Sequence, residues 1–293
     1  MLSAIRLTIS LLKLRAGFAI AATAIAGIAA TNGPAPSWAS IAGMGLAVLG
    51  ASCATGAFNH YYERDVDRLM RRTQGRPFAS GAFKPAWWWP AGFIILLTVS
   101  LALAATAGGH IAAGYVFLGA FAYAVVYTVW LKRRWAWSIV GGGLAGSCVV
   151  LAGAAAVDPT PQVLPTVLAA AVYLWAPAHF WSLAAVRSDD YRSAGIPMLP
   201  LVTPAPTWTL YCWYPSPLAT GSLTAWEPSR AAAICCGEPG FCTAQPQSPM
   251  GLRPLLPRSL SLVSCFLGSC SAGRLRGGPD GVRFVAAPRD TFG

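Results

Sequence analysis

The stretch Ala54-Thr55-Gly56-Ala57-Phe58-Asn59-His60-Tyr61-Tyr62-Glu63-Arg64-Asp65-Val66-Asp67-Arg68 passes within a few residues from a wholly apolar run to three acids and two arginines. Charge at membrane depth costs several kcal/mol per group (about 2.5 to 3.5 on insertion scales), so its abrupt concentration at the end of a span signals a use. If the segment is helical, Asn59, Glu63 and Asp67 fall at i, i+4 and i+8 and share one face. One amide and two carboxylates on a common face form a hard-oxygen cluster suited to Mg²⁺. A magnesium ion held beside a membrane calls for an anionic partner, and a phosphate ester is the natural one.

Working outward, the whole chain reads as membrane protein. Its 293 residues are 55% hydrophobic and 11% charged, against roughly 25% charged in soluble domains, and its mean hydropathy is +0.53. Apolar runs near the ~20 residues that cross a bilayer extend over Ala16–Ala30, Ala39–Phe58, Ala86–Gly108, Ile111–Leu131, Ala136–Val157 and Val163–Val186. The first follows Arg6, Lys13 and Arg15 in the manner of a secretory signal. The five runs after it favour a retained signal-anchor helix. The expected fold is therefore an all-α integral membrane bundle of about six helices, with an irregular C-terminal tail.

The formal net charge of +11 does not point to nucleic acid, because its placement follows the spans. Basic residues precede the first span, fill the connection holding Arg64, Arg68, Arg71, Arg72, Arg76 and Lys84, and recur at Lys132, Arg133 and Arg134 and at Arg187 and Arg192. The alternate connections, Thr31–Trp38, Gly108–His110 and Asp158–Gln162, contain no Lys or Arg. This is the positive-inside pattern of a multi-pass protein with a cytoplasmic N-terminus in a cell inner (plasma) membrane. Every acidic cluster then faces the cytoplasm, and no basic-aromatic patch is left over for nucleic acid.

The grammar changes after Val202. Residues 203–293 hold 12 prolines, 10 glycines and six of the eight cysteines, and no lysine. No helical or strand period persists there, and such composition suits disorder. The chain is thus divided into a membrane domain, 1–202, and a Pro/Gly/Cys-rich tail, 203–293, read as a frameshifted or disordered extension. The tail cysteines lack a Cys-x-x-Cys pair or a histidine partner and carry no zinc or disulfide message. Cys53 and Cys148 lie within spans as small apolar fillers.

Two further features carry chemistry. Arg68, Arg72 and Arg76 repeat every fourth residue and form a cationic stripe if the helix persists to Pro77. Guanidinium forks beside Mg²⁺-binding carboxylates are the components of a diphosphate site. After the sixth span comes Arg187-Ser188-Asp189-Asp190-Tyr191-Arg192-Ser193-Ala194-Gly195-Ile196-Pro197-Met198-Leu199-Pro200, on the same side of the membrane. Its paired acids are either a solvated helix end or the ligands of a second Mg²⁺ on the shared diphosphate.

The pattern Asn59-x-x-x-Glu63-x-x-x-Asp67 resembles the signature of the UbiA superfamily of intramembrane prenyltransferases. Met70-x-Arg72-Thr73-x-x-Arg76-Pro77 is similar to that family's protoheme IX farnesyltransferase branch. Tyr127 to Arg134, Pro177-Ala178-His179-Phe180-Trp181 and Asp189 to Pro200 resemble further elements of the branch in the same order, and Leu12-Lys13-Leu14-Arg15 is similar to its Lys-Pro-Arg element. Glu63 stands where most members have Asp, Ser188 where Lys is common, Ser138 where Asn is usual, and Val149-Val150 where Pro-Pro is usual. The family fold is a ring of about nine helices, so roughly three are not found in this chain. The resemblance implies transfer of a farnesyl group from farnesyl diphosphate to a vinyl group of heme b, Mg²⁺-dependent, releasing heme O and diphosphate, with a heme A synthase as a downstream partner. It implies Asn59, Glu63, Asp65 and Asp67 as ligands of a first Mg²⁺, and Asp189 and Asp190 as ligands of a second. Arg72, Arg76, Lys132, Arg133 and Arg187 become diphosphate contacts, with Tyr191 and His179 lining the substrate site.

Each residue also has a plainer reading. His179 beside Pro177 suits helix packing, the tyrosines and Trp87-Trp88-Trp89 suit an interfacial aromatic belt, and His60 is no natural Mg²⁺ ligand. Three other functions compete: prenylation of an aromatic quinone precursor, an ion path through the cytoplasmic acids, and an inactive truncated product. Spans nearly free of charge between Ala16 and Val186 argue against the ion path.

Overall fold

The computed structural model describes residues 2–203, and the side chains of residues 7–203. All its regular structure is helical: α1 (Leu2–Leu12), α2 (Leu14–Ala29), α3 (Trp38–Tyr62), α4 (Arg64–Asp67), α5 (Trp88–Phe121), a π-helical continuation (Ala122–Leu131), α6 (Ser138–Ala155), α7 (Val163–Val186), α8 (Ser188–Ser193) and α9 (Leu199–Val202). The tail reading for 203–293 lies outside the described residues.

Among the described residues, five helices are long and apolar enough to cross a membrane: Leu7–Ala29, Trp38–Tyr62, Trp88–Leu131, Ser138–Ala155 and Val163–Val186. The third has 44 residues, about 66 Å at 1.5 Å per residue, twice the ~30 Å hydrocarbon layer. It is broken at Gly109, whose φ of 85° and ψ of 172° suit glycine alone. The chain reverses there. Before the break it runs antiparallel to α3, with Gly50 against Ser100 and Gly43 against Ala107; after it, Gly119 lies on Cys148 of α6 and the chain returns to Lys132 beside Glu63. The two expected spans, Ala86–Gly108 and Ile111–Leu131, are these two limbs, which makes six crossings among the described residues. The first span is longer than expected, because helix continues on both sides of Lys13.

The core is built from small residues. Ala21, Ala24, Met44, Ala47, Val48, Ala51, Ala104, Ala112 and Ala152 interdigitate where α2, α3, α5 and α6 meet. Backbones nearly touch where α2 crosses α6: a methyl on Gly27 would strike the Val150 carbonyl, and one on Gly153 the Ala24 carbonyl. Lipid offers no hydrophobic drive between helices, so close approach through small residues supplies the packing. Trp38, Trp87, Ile94, Ile95 and Val163 point outward, as a lipid-facing surface requires.

At the basic end, the connection from α4 to α5 is a series of turns rather than helix. Phe78 sits at its centre, edge-on to Tyr61 and Trp89 and near Phe83, and is fully buried. The segment α8 ends in a Schellman motif: Gly195, at φ 63°, donates to the Arg192 carbonyl and Ile196 donates to the Tyr191 carbonyl. Tyr191 and Ile196 then pack together with Val66, Met70, Ala184 and Met198. The sequence order Tyr191-Arg192-Ser193-Ala194-Gly195-Ile196 is what this cap needs, and the cap docks the second acidic segment onto the first.

Candidate active site

Asn59 lies in the last turn of α3, 3% exposed, and Glu63 and Asp67 follow at 1% each. The helix does not run through them. It ends at Tyr62, Glu63 takes φ −91° and ψ 11°, and α4 is a separate single turn. The i to i−4 bonds nevertheless bridge the break, Glu63 N–H to the Asn59 carbonyl at 2.9 Å and Asp67 N–H to the Glu63 carbonyl at 2.8 Å. The three side chains therefore keep the common face that their spacing predicted.

Each of the three side chains is held by a cation from a different part of the chain. Lys13 Nζ donates to Asn59 Oδ1 at 2.9 Å. Lys132 Nζ donates to Glu63 Oε2 at 2.6 Å. One Arg76 nitrogen donates to both Asp67 oxygens, at 2.8 and 2.7 Å. Arg76 reaches back because the chain turns after α4, where the Thr73 hydroxyl donates to the Asp67 carbonyl at 3.0 Å. Lys132 arrives at the end of the π-helical segment, whose wider winding also sets Thr128 under Asn59: the Thr128 hydroxyl accepts from Asn59 Nδ2 at 3.4 Å and donates to the Tyr123 carbonyl at 2.8 Å. Segments of π-helix gather at functional sites for this kind of re-aiming. Lys13 is the missed member of the group. It occupies the junction of α1 and α2 at φ 50°, the one positive φ outside glycine among the described residues, and its stem lies over Gly56. Such backbone is strained for a lysine, and the available signal was the resemblance of Leu12-Lys13-Leu14-Arg15 to the family's Lys-Pro-Arg element, from which no site role was drawn.

The expected arginine stripe does not form, because turns replace helix after Asp67. Arg68 donates to the Ala79 carbonyl at 3.0 Å, Arg72 is exposed, and only Arg76 engages the buried acids. Asp65 turns to the outside and pairs with Arg133 through two bonds of 2.9 and 3.0 Å. That hydrogen bonding is the main reason its carboxyl is held below the usual aspartate value. Both Asp65 and Arg133 thus stand apart from the buried group.

The second segment is on the same side and in contact with the first. Asp190 Oδ1 accepts from the Arg71 backbone N–H at 3.2 Å, and the Ser193 hydroxyl donates to the Leu69 carbonyl at 3.0 Å. Tyr191 is buried, which pushes its hydroxyl above the ordinary tyrosine value, and the charges of Arg72, Glu63, Arg187 and Arg76 all act on it. Asp189 is exposed and Arg187 half-buried at the start of α8. His179 stacks on Trp175 at 4.5 Å, within α7 rather than at its polar end.

Among the described residues, no three His, Cys, Asp or Glu side chains gather into a metal-binding group. The donor set at the buried centre is instead one amide and two carboxylates, all hard oxygens shielded from water, and its chemistry fits Mg²⁺. With Lys13, Lys132 and Arg76 it combines a cation-binding face with three anion-binding groups. That combination suits a diphosphate neutralised from both sides.

Comparison with known proteins gives the family and the fold. The family described as "UbiA prenyltransferase family" matches residues 20–237. Protoheme IX farnesyltransferase 2 of Paramagnetospirillum magneticum is 54% identical over 193 residues, 66% of this chain and 67% of that protein. Protoheme IX farnesyltransferase 1 of the same organism is 50% identical over 200 residues, 67% of this chain and 69% of its own. Among solved structures, a UbiA homolog from Archaeoglobus fulgidus bound to GPP and Mg²⁺ superposes with a TM-score of 0.58, covering 78% of this chain and 83% of that one at 16% identity. The likeness to that structure is one of fold.

Proposed function

From the premise that this chain belongs to the UbiA prenyltransferase family, we propose that it transfers a farnesyl group from farnesyl diphosphate to a vinyl group of heme b. The products are heme O and diphosphate. The observation that carries the reading is the buried Asn59, Glu63 and Asp67 set, each member gripped by a separate cation, at the polar end of an apolar bundle. Relatives named protoheme IX farnesyltransferase supply the choice of acceptor.

Asn59, Glu63 and Asp67 would hold Mg²⁺, which supplies positive charge against the departing diphosphate. Asp189 and Asp190 would serve a second ion from the docked α8. Lys13, Lys132 and Arg76 change partners on binding: their N–H groups turn from the carboxylates and amide to the phosphate oxygens, where charge grows as the C1–O bond of the prenyl group breaks. Arg72 and Arg187 would contact the same diphosphate from the outer side. The apolar walls keep water from the allylic cation until the vinyl carbon has attacked it. Water then adds at the neighbouring carbon and loses a proton, completing the hydroxyethylfarnesyl group. Charge separation is concentrated at one end of the site, and the 15-carbon tail lies among the spans.

The protein is a multi-pass membrane enzyme, and we place it in a cell inner membrane with its N-terminus and both acidic segments on the cytoplasmic side, where the basic connections lie. The domain proposed for the reaction is 1–202. The family match continues past Val202 to residue 237, so translating the other frames of the gene beyond that codon tests the separate reading of the tail.

The acceptor is tested by incubating membranes containing the protein with farnesyl diphosphate and either heme b or an aromatic acid, and weighing the products. A farnesylated, hydrated heme is expected. A prenylated aromatic acid with no heme adduct would replace the acceptor.

A further inference from the structure

His60 follows Asn59 in the last turn of α3 and is 3% exposed, yet neither ring nitrogen has a hydrogen-bond partner among the described residues. Buried polar side chains almost always find one. The charges that act most on the ring are those of Lys13, Arg76, Lys132 and Arg72. A buried imidazole with both nitrogens unpartnered, one residue from Asn59 and its Lys13 partner, is suited to meet an anion drawn to the same cations. Imidazole is a poor match for Mg²⁺, but its N–H is a good donor to phosphate oxygen.

We infer that His60 is a substrate-binding residue whose ring N–H donates to an oxygen of the bound diphosphate, beside Lys13, Arg76 and Lys132. This rests on the diphosphate site proposed above and adds a neutral donor to its three cationic ones. It also gives the ring its missing partner, so the cost of burying it in the free protein is recovered when the anion binds.

The test is calorimetric titration of the full chain, purified in detergent, with inorganic diphosphate in the presence of Mg²⁺. Wild type, His60→Leu and His60→Gln are compared, alongside their melting temperatures. His60→Leu is expected to weaken binding roughly tenfold, the scale of one hydrogen bond to a charged group, with a melting temperature no lower than wild type. His60→Gln, which keeps an N–H, is expected to retain most of the affinity. If wild type binds and His60→Leu binds equally well, the assignment of His60 is overturned while the diphosphate site stands. Equal weakening in both variants with lowered melting temperatures also overturns it, in favour of packing. Failure of wild type to bind at all sinks the diphosphate site and this inference with it. A parallel hemin titration, read by absorbance, is expected to be unchanged in His60→Leu; loss of the hemin signal with intact diphosphate binding assigns the ring to the porphyrin and overturns the inference.

Discussion

Two sets of ion pairs lie a few residues apart at the polar end of this bundle, built from the same residue types and opposite in character. In the inner set, Glu63 with Lys132 and Asp67 with Arg76, the acid side chains are 2% exposed. In the outer pair, Asp65 is 62% exposed and its partner Arg133 35%. Water competes for the outer pair, so it contributes little. The inner carboxylates have given up their hydration and depend wholly on their partners. A fold that needed charge only for orientation would have left all three acids outside. Burying two of them is costly to stability, and a diphosphate with its magnesium is the kind of ligand that makes use of it.

The sharpest way to break this contrast is to alter one acid of each kind. Asp67→Asn is expected to lower prenyl transfer by about a thousandfold, the scale of a lost electrostatic contact to developing charge, while helix content by circular dichroism is unchanged. Lys132→Ala leaves Glu63 buried without its partner and is expected to cost about 3 kcal/mol of stability, seen as a lower melting temperature in detergent. Thr128→Val removes the hydroxyl under Asn59 and is expected to cost about 1 kcal/mol and to raise the KM for farnesyl diphosphate more than it lowers kcat. Arg133→Ala is expected to change stability by less than about 0.5 kcal/mol and turnover by less than twofold.

The outer pair also has a pH signature. Hydrogen bonding to Arg133 lowers the Asp65 pKa in the folded protein, so its small contribution is fully present above the ordinary aspartate pKa and is lost as pH falls through the lowered value. The difference in melting temperature between wild type and Asp65→Asn should shrink on acidification and in high salt. A difference that grows in acid would invert the assignment.

Much of this was legible in the sequence, and particular residues explain which parts. The six crossings followed from apolar length and from the alternation of basic connections, even where one continuous 44-residue helix needed Gly109 to become two. The common face of Asn59, Glu63 and Asp67 followed from spacing and survived a helix break, because backbone bonds at i−4 span the break. The arginine stripe did not survive, since persistence of the helix past Asp67 was decided by distant contacts such as Met70 with Tyr191. Lys13 carried no periodic signal; its role comes from a left-handed junction and from Gly56 leaving room for its stem. Local patterns record which way a residue faces within one element, and they are silent on which separate elements meet.

The contrast between buried and exposed acids is tested most directly by measuring Mg²⁺-dependent prenyl transfer from farnesyl diphosphate in Asp67→Asn and Asp65→Asn side by side. On this contrast, turnover is expected to fall about a thousandfold in the first and to stay within about twofold of wild type in the second, the scale of a weak surface ion pair. Equal loss in both, or turnover preserved in Asp67→Asn, would contradict it.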